Sequence, residues 1–121
     1  MRLFLDACVL FPVATREILR VYAGAGGFTP LWSARVMEEW ARAAASKQDA
    51  EAAARGDIAL WRAAFDGEVS GYEAREDAIF LPDPHEVHVA AAAAHGQVDA
   101  VLTFNTRAFP PREMRALGVL R

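Results

Sequence analysis

Oxygen-bearing side chains that could hold a metal ion follow three separate apolar runs of this sequence. Asp6 follows residues 3–5, Asp83 and Glu86 come shortly after a second apolar run, and Asn105 follows a third. In an open parallel sheet, ligands bind outside the carboxyl ends of the strands, so these residues would share one crevice if the runs are neighbouring strands. Mg²⁺ prefers oxygen ligands, commonly one or two carboxylates and several waters. The spacing therefore predicts a site for a divalent cation.

A further acid is expected from a helix that begins after Ser33, where Glu38 and Glu39 are adjacent. Neighbouring residues of a helix lie about 100° apart around its axis, so at most one of the two can face the same crevice. We predict that this residue is Glu39, because Trp40 and its apolar neighbours mark the buried side of the helix close to it.

Each of these residues also has an ordinary structural interpretation. Asp83 followed by proline and then by Glu86 has the pattern of a helix cap, which predicts that Asp83 is the N-cap. A single glutamate such as Glu39 is commonly a solvated helical residue, and Asn105 is a common turn residue. Asp6 differs, since a carboxylate after several apolar residues is costly unless it is paired or bound to a metal.

Other polar and aromatic residues are expected to serve the fold. His88 is predicted to pack inside a helix or to accompany a carboxylate, whereas His85 and His95 are predicted to be exposed, and Asp99 to be structural. The sequence has no Cys/His zinc spacing, no glycine-rich loop that opens a helix, and no Gly-x-Ser-x-Gly elbow. The tryptophans predicted to form the core are Trp32, Trp40 and Trp61.

The hydrophobic pattern predicts strands that alternate with helices, an order typical of a mostly parallel sheet covered by helices on both faces. Strands are predicted at residues 2–6, 78–81 and 99–104, with a small edge strand at 119–120. Helices are predicted at residues 13–23, 34–46, 49–65, 84–95 and 111–117. Residues 67–76 favour a turn and a short helix, and residues 29–33 are assigned to no element.

Composition restricts the class of protein. The 121 residues fit one domain, residues 1–121, and 54% apolar residues provide for a real core. A net charge of −3 lacks the basic excess of most nucleic-acid binders, although a metal-binding acid cluster would contribute to it. One cysteine, Cys8, permits no internal disulfide. With no signal sequence or membrane-length apolar run, the expected location is the cytoplasm.

Four stretches together resemble the PIN domain family, in the branch that opens with DACVLYP. The similarity covers nearly the whole chain, in the right order. The matching stretches are LDACVLFP at residues 5–12, WS with EEW at 32–40, LPDPHEVHVAA at 81–91, and VLTFN followed by FP at 101–110.

The resemblance implies a set of site residues, each at a matching position. Asp6, Glu39 and Glu86 stand at the family's first, second and third acids, and Asn105 stands at its fourth polar ligand. We add Thr103 and Asp83 as accessory residues, and Arg16, Arg42 and Arg107 as candidates to bind the phosphate backbone. The implied chemistry is hydrolysis of RNA phosphodiester bonds with one or two Mg²⁺ or Mn²⁺ ions.

Several residues depart from the family pattern. Glu86 replaces the usual aspartate, His85 stands where another aspartate is usual, Val87 replaces an arginine, and Ala108 replaces the aspartate of DFP. These changes support an alternative in which an impaired PIN domain binds RNA or protein without cutting.

The resemblance also implies partners. Many members of the family are VapC-type toxin ribonucleases, which form homodimers and are silenced by a small antitoxin. Tyr22 and Trp40 are candidates for a partner surface. A receiver-like α/β domain with a lone aspartate on its first strand is a further alternative, but the sequence lacks a second acid two residues after Asp6 and a clear lysine at the last strand.

Overall fold

The computed structural model describes residues 1–46 and 50–119. The strands are β1 (Arg2–Leu5), β2 (Thr29–Ser33), β3 (Glu68–Val69) and β4 (Ala100–Leu102). The helices are α1 (Ala7–Leu10), α2 (Val13–Gly24), α3 (Ala34–Ala45), α4 (Ala50–Ala64), α5 (Val87–His95) and α6 (Pro111–Ala116). Short 3-10 helices occupy Glu73–Ala78, Pro84–Glu86 and Thr106–Ala108.

The four strands form one parallel sheet in the order β3-β2-β1-β4. Phe4 of β1 lies opposite Leu31 of β2 on one side and Val101 of β4 on the other. With its helices, the sheet makes a three-layer α/β/α fold, which confirms the predicted class. Because β1 and β4 are parallel neighbours, their carboxyl ends lie at the same edge of the sheet.

The strand predicted at residues 78–81 is wrong. Ala78 ends a 3-10 helix, and the residues that follow have no regular structure. Ile79 is buried but Phe80 is 83% exposed, whereas a strand inside a parallel sheet buries side chains on both faces. A run of four apolar residues carries too little periodicity to separate these cases.

The interior strand β2 was not predicted. It contains Pro30, which lies opposite Leu3 of β1, and proline has no amide hydrogen for a strand ladder. Because proline in the middle of a run argues against an interior strand, the sequence did not predict β2. Its other residues Leu31 and Trp32 are buried, as expected for the interior of the sheet.

The predicted helices at residues 13–23, 34–46, 84–95 and 111–117 are confirmed within a few residues. Ser33 caps α3, because its Oγ accepts a hydrogen bond of 3.1 Å from the amide of Val36. The helix predicted at 49–65 is found from Ala50, and residue 49 lies outside the described residues. Val119 is not in a strand, and the other half of that predicted edge strand, residue 120, also lies outside them.

All three tryptophans are buried, as predicted, and Trp32 meets Trp61 edge to face at 6.0 Å. The burial of Trp40 excludes it from the partner surface suggested by the sequence, whereas Tyr22 is exposed. Helix α1 contacts α2 and α3, α3 contacts α4, and α5 contacts β2, β3 and β4. None of the helices within residues 1–46 and 50–119 is long and apolar enough to span a bilayer.

Candidate functional site

Asp6 is a buried carboxylate at the carboxyl end of β1. Its amide donates to the carbonyl of Leu102 at the end of β4, at 3.1 Å, which joins the two strand ends. One carboxylate oxygen, Oδ1, accepts from the amide of Ala7 at 2.8 Å and caps α1, and Oδ2 accepts from the Thr103 hydroxyl at 2.8 Å. Asp6 therefore combines a structural cap with a bond across the sheet edge.

The chain that follows β4 is tied to Asp6 through Thr103 and Cys8. The Thr103 hydroxyl oxygen accepts from the amide of Asn105 at 3.0 Å, and Cys8 Sγ lies 3.3 Å from it. Cys8 Sγ also accepts from the amide of Phe104 at 3.3 Å. The thiol thus fixes the backbone next to Asn105, which is exposed at this edge of the sheet.

The two adjacent glutamates of α3 face different neighbours. Glu38 pairs with Arg55 at 3.0 Å and with Arg42 at 3.6 Å. Glu39 instead approaches buried His88 of α5, with 3.3 Å between Oε1 and His88 Nε2, although the pair lacks the alignment of a hydrogen bond. The structure therefore puts Glu39, and not Glu38, towards α5.

Glu86 lies where a 3-10 turn leads into α5. Desolvation is the largest cause that raises its pKa to about 7, and the negative charges of Asp6 and Glu39 raise it further. Its Oε2 is buried and has no hydrogen-bond partner among the described residues. Asp83 caps this segment as predicted, accepting from the His85 amide at 2.9 Å, whereas the Glu86 side chain makes no cap bond.

Three carboxylates from separate parts of the chain therefore influence one another. The pKa of Asp6 is raised, mainly by burial and also by the charge of Glu39, against the lowering effect of its bonds to Thr103 and Ala7. Burying several like charges together is unfavourable unless a cation or a proton compensates them. The set of hard oxygen donors, one of them buried without a partner, fits Mg²⁺ or Mn²⁺.

The side chains of these acids are not arranged as a metal-binding site. Within the part of the chain that the structure describes, no three acidic, histidine or cysteine side chains have a metal-binding arrangement. Both oxygens of Asp6 are engaged by hydrogen bonds, and Glu39 lies against His88. Coordination by these acids would require their side chains to turn towards one another.

Arg16 occupies a structural position. It is buried, donates to the carbonyls of Leu10 and Phe11 at 2.9 and 3.0 Å, and forms an ion pair with Asp57 at 2.9 Å. Its guanidinium also lies 4.8 Å from the ring centre of Trp40. These contacts join α1, α2, α3 and α4 and leave the group little freedom to meet a phosphate.

Comparison with known families decides the identity of the fold. A family model described as PIN domain matches residues 2–107. The chain belongs to the PIN domain family. This confirms the resemblance that the four stretches indicated.

A solved structure shares the fold of this PIN domain. It is the crystal structure of VapBC2 from Rickettsia felis bound to a DNA fragment from their promoter, with a TM-score of 0.57 and 15% identity over 90% of this chain and 91% of that chain. At this identity the likeness shows the fold alone. No curated protein sequence matches the chain.

The PIN domain brings some predicted site residues together and separates others. Asp6, Glu39 and Glu86 are close enough to interact electrostatically, and Thr103 contacts Asp6 directly. Arg42 and Arg107 are exposed, the former beside Glu38. The sequence had suggested His88 as a carboxylate partner, and its position beside Glu39 agrees with that. Cys8 was missed as a polar contact because its setting is apolar.

Proposed function

We propose that this PIN domain is a metal-dependent endoribonuclease that hydrolyses RNA phosphodiester bonds. The observation that carries the proposal is that acids from three separate segments lie close together: Glu86 has a buried oxygen without a partner, and the charges of Asp6 and Glu39 help to raise its pKa. An uncompensated acid cluster of this kind destabilises a fold, and perturbed acids in one cleft are typical of functional sites. Members of the PIN domain family are usually nucleases, which agrees with this chemistry.

Asp6, Glu39 and Glu86 would hold one or two ions, with Asn105 in support at the end of β4. A bound Mg²⁺ or Mn²⁺ supplies Lewis acidity, which lowers the pKa of a coordinated water and neutralises charge on the phosphate. Thr103 holds the orientation of Asp6 through its 2.8 Å hydrogen bond. The longer arm of Glu86, compared with aspartate, extends its carboxylate one methylene further from the start of α5.

The exposed arginines are proposed to meet the RNA backbone. Arg42 borders a depression that it lines with Glu38, Glu39 and Arg35. Arg107 is exposed two residues after Asn105. A guanidinium presents several donors that match phosphate oxygens, so these groups can position the strand over the acids. Arg16 is not needed for this role, since its guanidinium is occupied within the protein.

We extend the proposal to the biological setting. The solved structure that shares this fold contains VapBC2 bound to promoter DNA, which supports a role for this chain as the toxin of a toxin–antitoxin pair, held inactive by a small antitoxin. The proposed setting also includes the cytoplasm as the location and a homodimer as the assembly.

The test is a calorimetric titration of Mn²⁺ into the purified protein and into Asp6→Asn and Glu86→Gln. We expect saturable binding by the parent and its loss in both variants, because each removes a charged oxygen donor. Glu17→Gln, at an exposed acid of α2, is the matched control and should bind as the parent does. Circular dichroism must first show that every sample is folded.

A second function is favoured by the absence of a metal-binding arrangement among the described side chains and by Ala108 in place of an acid. In this alternative, the domain binds RNA or a protein without cutting. A folded parent that binds no Mn²⁺ would contradict the nuclease proposal and support this alternative.

A further inference from the structure

An exposed aromatic ring follows directly on a residue that contacts the acid cluster. Phe104 directly follows Thr103, whose hydroxyl binds Asp6, and its own amide donates to Cys8 Sγ. Its side chain is nevertheless 66% exposed. The ring is therefore available to stack against a flat ligand next to the acids.

The chain around Phe104 is well anchored. We call residues 103–108 the Phe104 loop. Its first residue, Thr103, and its last, Ala108, are buried, and Phe109 beyond it is completely buried. Inside the loop, the Asn105 carbonyl accepts from the amide of Ala108 at 3.2 Å. The ring of Phe104 is therefore presented from a backbone that is fixed at both ends.

Three exposed arginines without an acidic ion-pair partner follow this ring in the sequence. Six of the eleven arginines among the described residues form ion pairs with acids, including Arg20 with Glu17 and Arg62 with Glu68. Among the described residues, by contrast, no acid lies within ion-pair distance of the exposed arginines that follow Phe104. These are Arg107, Arg112 and Arg115.

We propose that the Phe104 loop binds one nucleotide of single-stranded RNA, with the base stacked on Phe104 and a backbone phosphate held by Arg107. This inference rests on the proposed nuclease function and assigns to the Phe104 loop a contact with the RNA substrate. Every base has a π face that stacks on an aromatic side chain, whereas a base inside a duplex is covered by its neighbours. Because the net charge is −3, stacking supplies affinity that an excess of basic residues supplies in most nucleic-acid binders.

The experiment uses a single-stranded oligoribonucleotide that contains 2-aminopurine, whose fluorescence is quenched when it stacks. Binding to the full chain is followed by anisotropy and by quenching, with Mg²⁺ present and with the length of the RNA checked on a gel. The variants are Phe104→Ala, Phe104→Leu and Phe104→Tyr. The matched control is Phe80→Ala, which removes an exposed aromatic ring that lies outside both the Phe104 loop and α2.

We expect Phe104→Ala to weaken binding roughly tenfold and to abolish quenching, because stacking contributes about 1–3 kcal/mol per base. Phe104→Leu keeps apolar surface but has no ring, so it should also lose quenching, whereas Phe104→Tyr should retain it. Phe80→Ala should match the parent. The same sequence in a duplex should bind more weakly than the single strand.

The outcomes distinguish failure of the stacking site from failure of the proposed nuclease function. Binding by the parent without quenching, equal binding by Phe104→Ala, or equal binding of the duplex would overturn the stacking site and leave the nuclease proposal standing. A parent that binds no RNA and no Mn²⁺ would overturn both. Loss of Mn²⁺ binding in Phe104→Ala would show a general disturbance of the site and would also count against a separate stacking role.

Discussion

At the scale of single residues, the hydrogen bond from Thr103 to Asp6 contributes both to the stability of the fold and to the orientation of a candidate site residue. We predict that Thr103→Val lowers the free energy of unfolding by about 1–2 kcal/mol, because a buried carboxylate loses a donor that its charge requires. Urea denaturation at pH 7 with a chelator present measures the change. Thr29→Val, at an exposed strand position, is the control and should stay within about 0.5 kcal/mol of the parent. Equal stability of the two variants would contradict the importance of this bond.

Glu86 predicts a dependence of stability on pH. Its pKa is about 7 in the folded protein and near 4.5 when unfolded, so between these values the folded state binds more protons. Stability therefore falls as pH rises through this interval, and the cost is fully present above pH 7. Without metal, we predict that the difference in unfolding free energy between Glu86→Gln and the parent increases in favour of the variant from about pH 5 to about pH 8.

The measurement is the difference in unfolding free energy between Glu86→Gln and the parent, taken by denaturant titration at several pH values with a chelator. Glu113→Gln, at an exposed glutamate of α6, is the matched control. A constant difference for Glu86→Gln, or the same trend in the control, would show that the burial of Glu86 among acids does not limit stability.

At the scale of secondary structure, the sequence predicted helices better than strands. Ser33 as an N-cap, and the apolar stripe that includes Trp40, identified α3 and with it the direction of Glu39. Strands were harder because β2 contains Pro30 and β3 has two residues, too few for any pattern. The strand ends that precede Asn105 and carry Asp6 were still predicted to lie together, because β1 and β4 were both predicted and are neighbours. The false strand at residues 78–81 did not matter, since the cap at Asp83 starts the segment that carries Glu86.

The sequence could not predict which hydrogen-bond and ion-pair partners individual polar side chains have. Arg16 and Arg107 have the same side chain, but only the tertiary structure shows that one bridges helices and the other is exposed. In the same way, the apolar setting of Cys8 gave no sign that its sulfur accepts a backbone hydrogen bond. Such contacts depend on which segments meet in space.

The different positions of these arginines lead to a prediction about the helices. We expect Arg16→Ala to lower the free energy of unfolding by about 2–3 kcal/mol, because it leaves two carbonyls and Asp57 without their partner and removes packing over Trp40. Arg107→Ala should change it by no more than about 0.5 kcal/mol. Thermal and urea unfolding would measure both. A neutral Arg16→Ala would contradict the structural role and return this residue to the candidates for phosphate binding.

At the scale of the whole molecule, the described surface has an apolar area that the fold does not use. Helix α2 exposes Ile18, Val21 and Tyr22, and Leu60 of α4 lines a depression shared with Arg20 of α2. Soluble monomers seldom expose large contiguous apolar patches, so such a surface is typical of an interface. Because Glu17 and Arg20 accompany these residues, two copies of α2 related by a twofold axis would offer complementary charges.

We therefore predict that the proposed homodimer forms through α2. The parent should sediment as a dimer at micromolar concentration, and Val21→Asp should convert it to a folded monomer, since a buried unpaired carboxylate opposes association. Phe80→Asp is the control, because it adds the same charge at an exposed apolar residue outside α2 and should leave the dimer intact. Sedimentation equilibrium measures the mass directly. A parent that is monomeric, or a Val21→Asp variant that remains dimeric, would contradict a dimer through α2. Binding of Mn²⁺ by a monomeric Val21→Asp variant would show that the acid site does not depend on assembly.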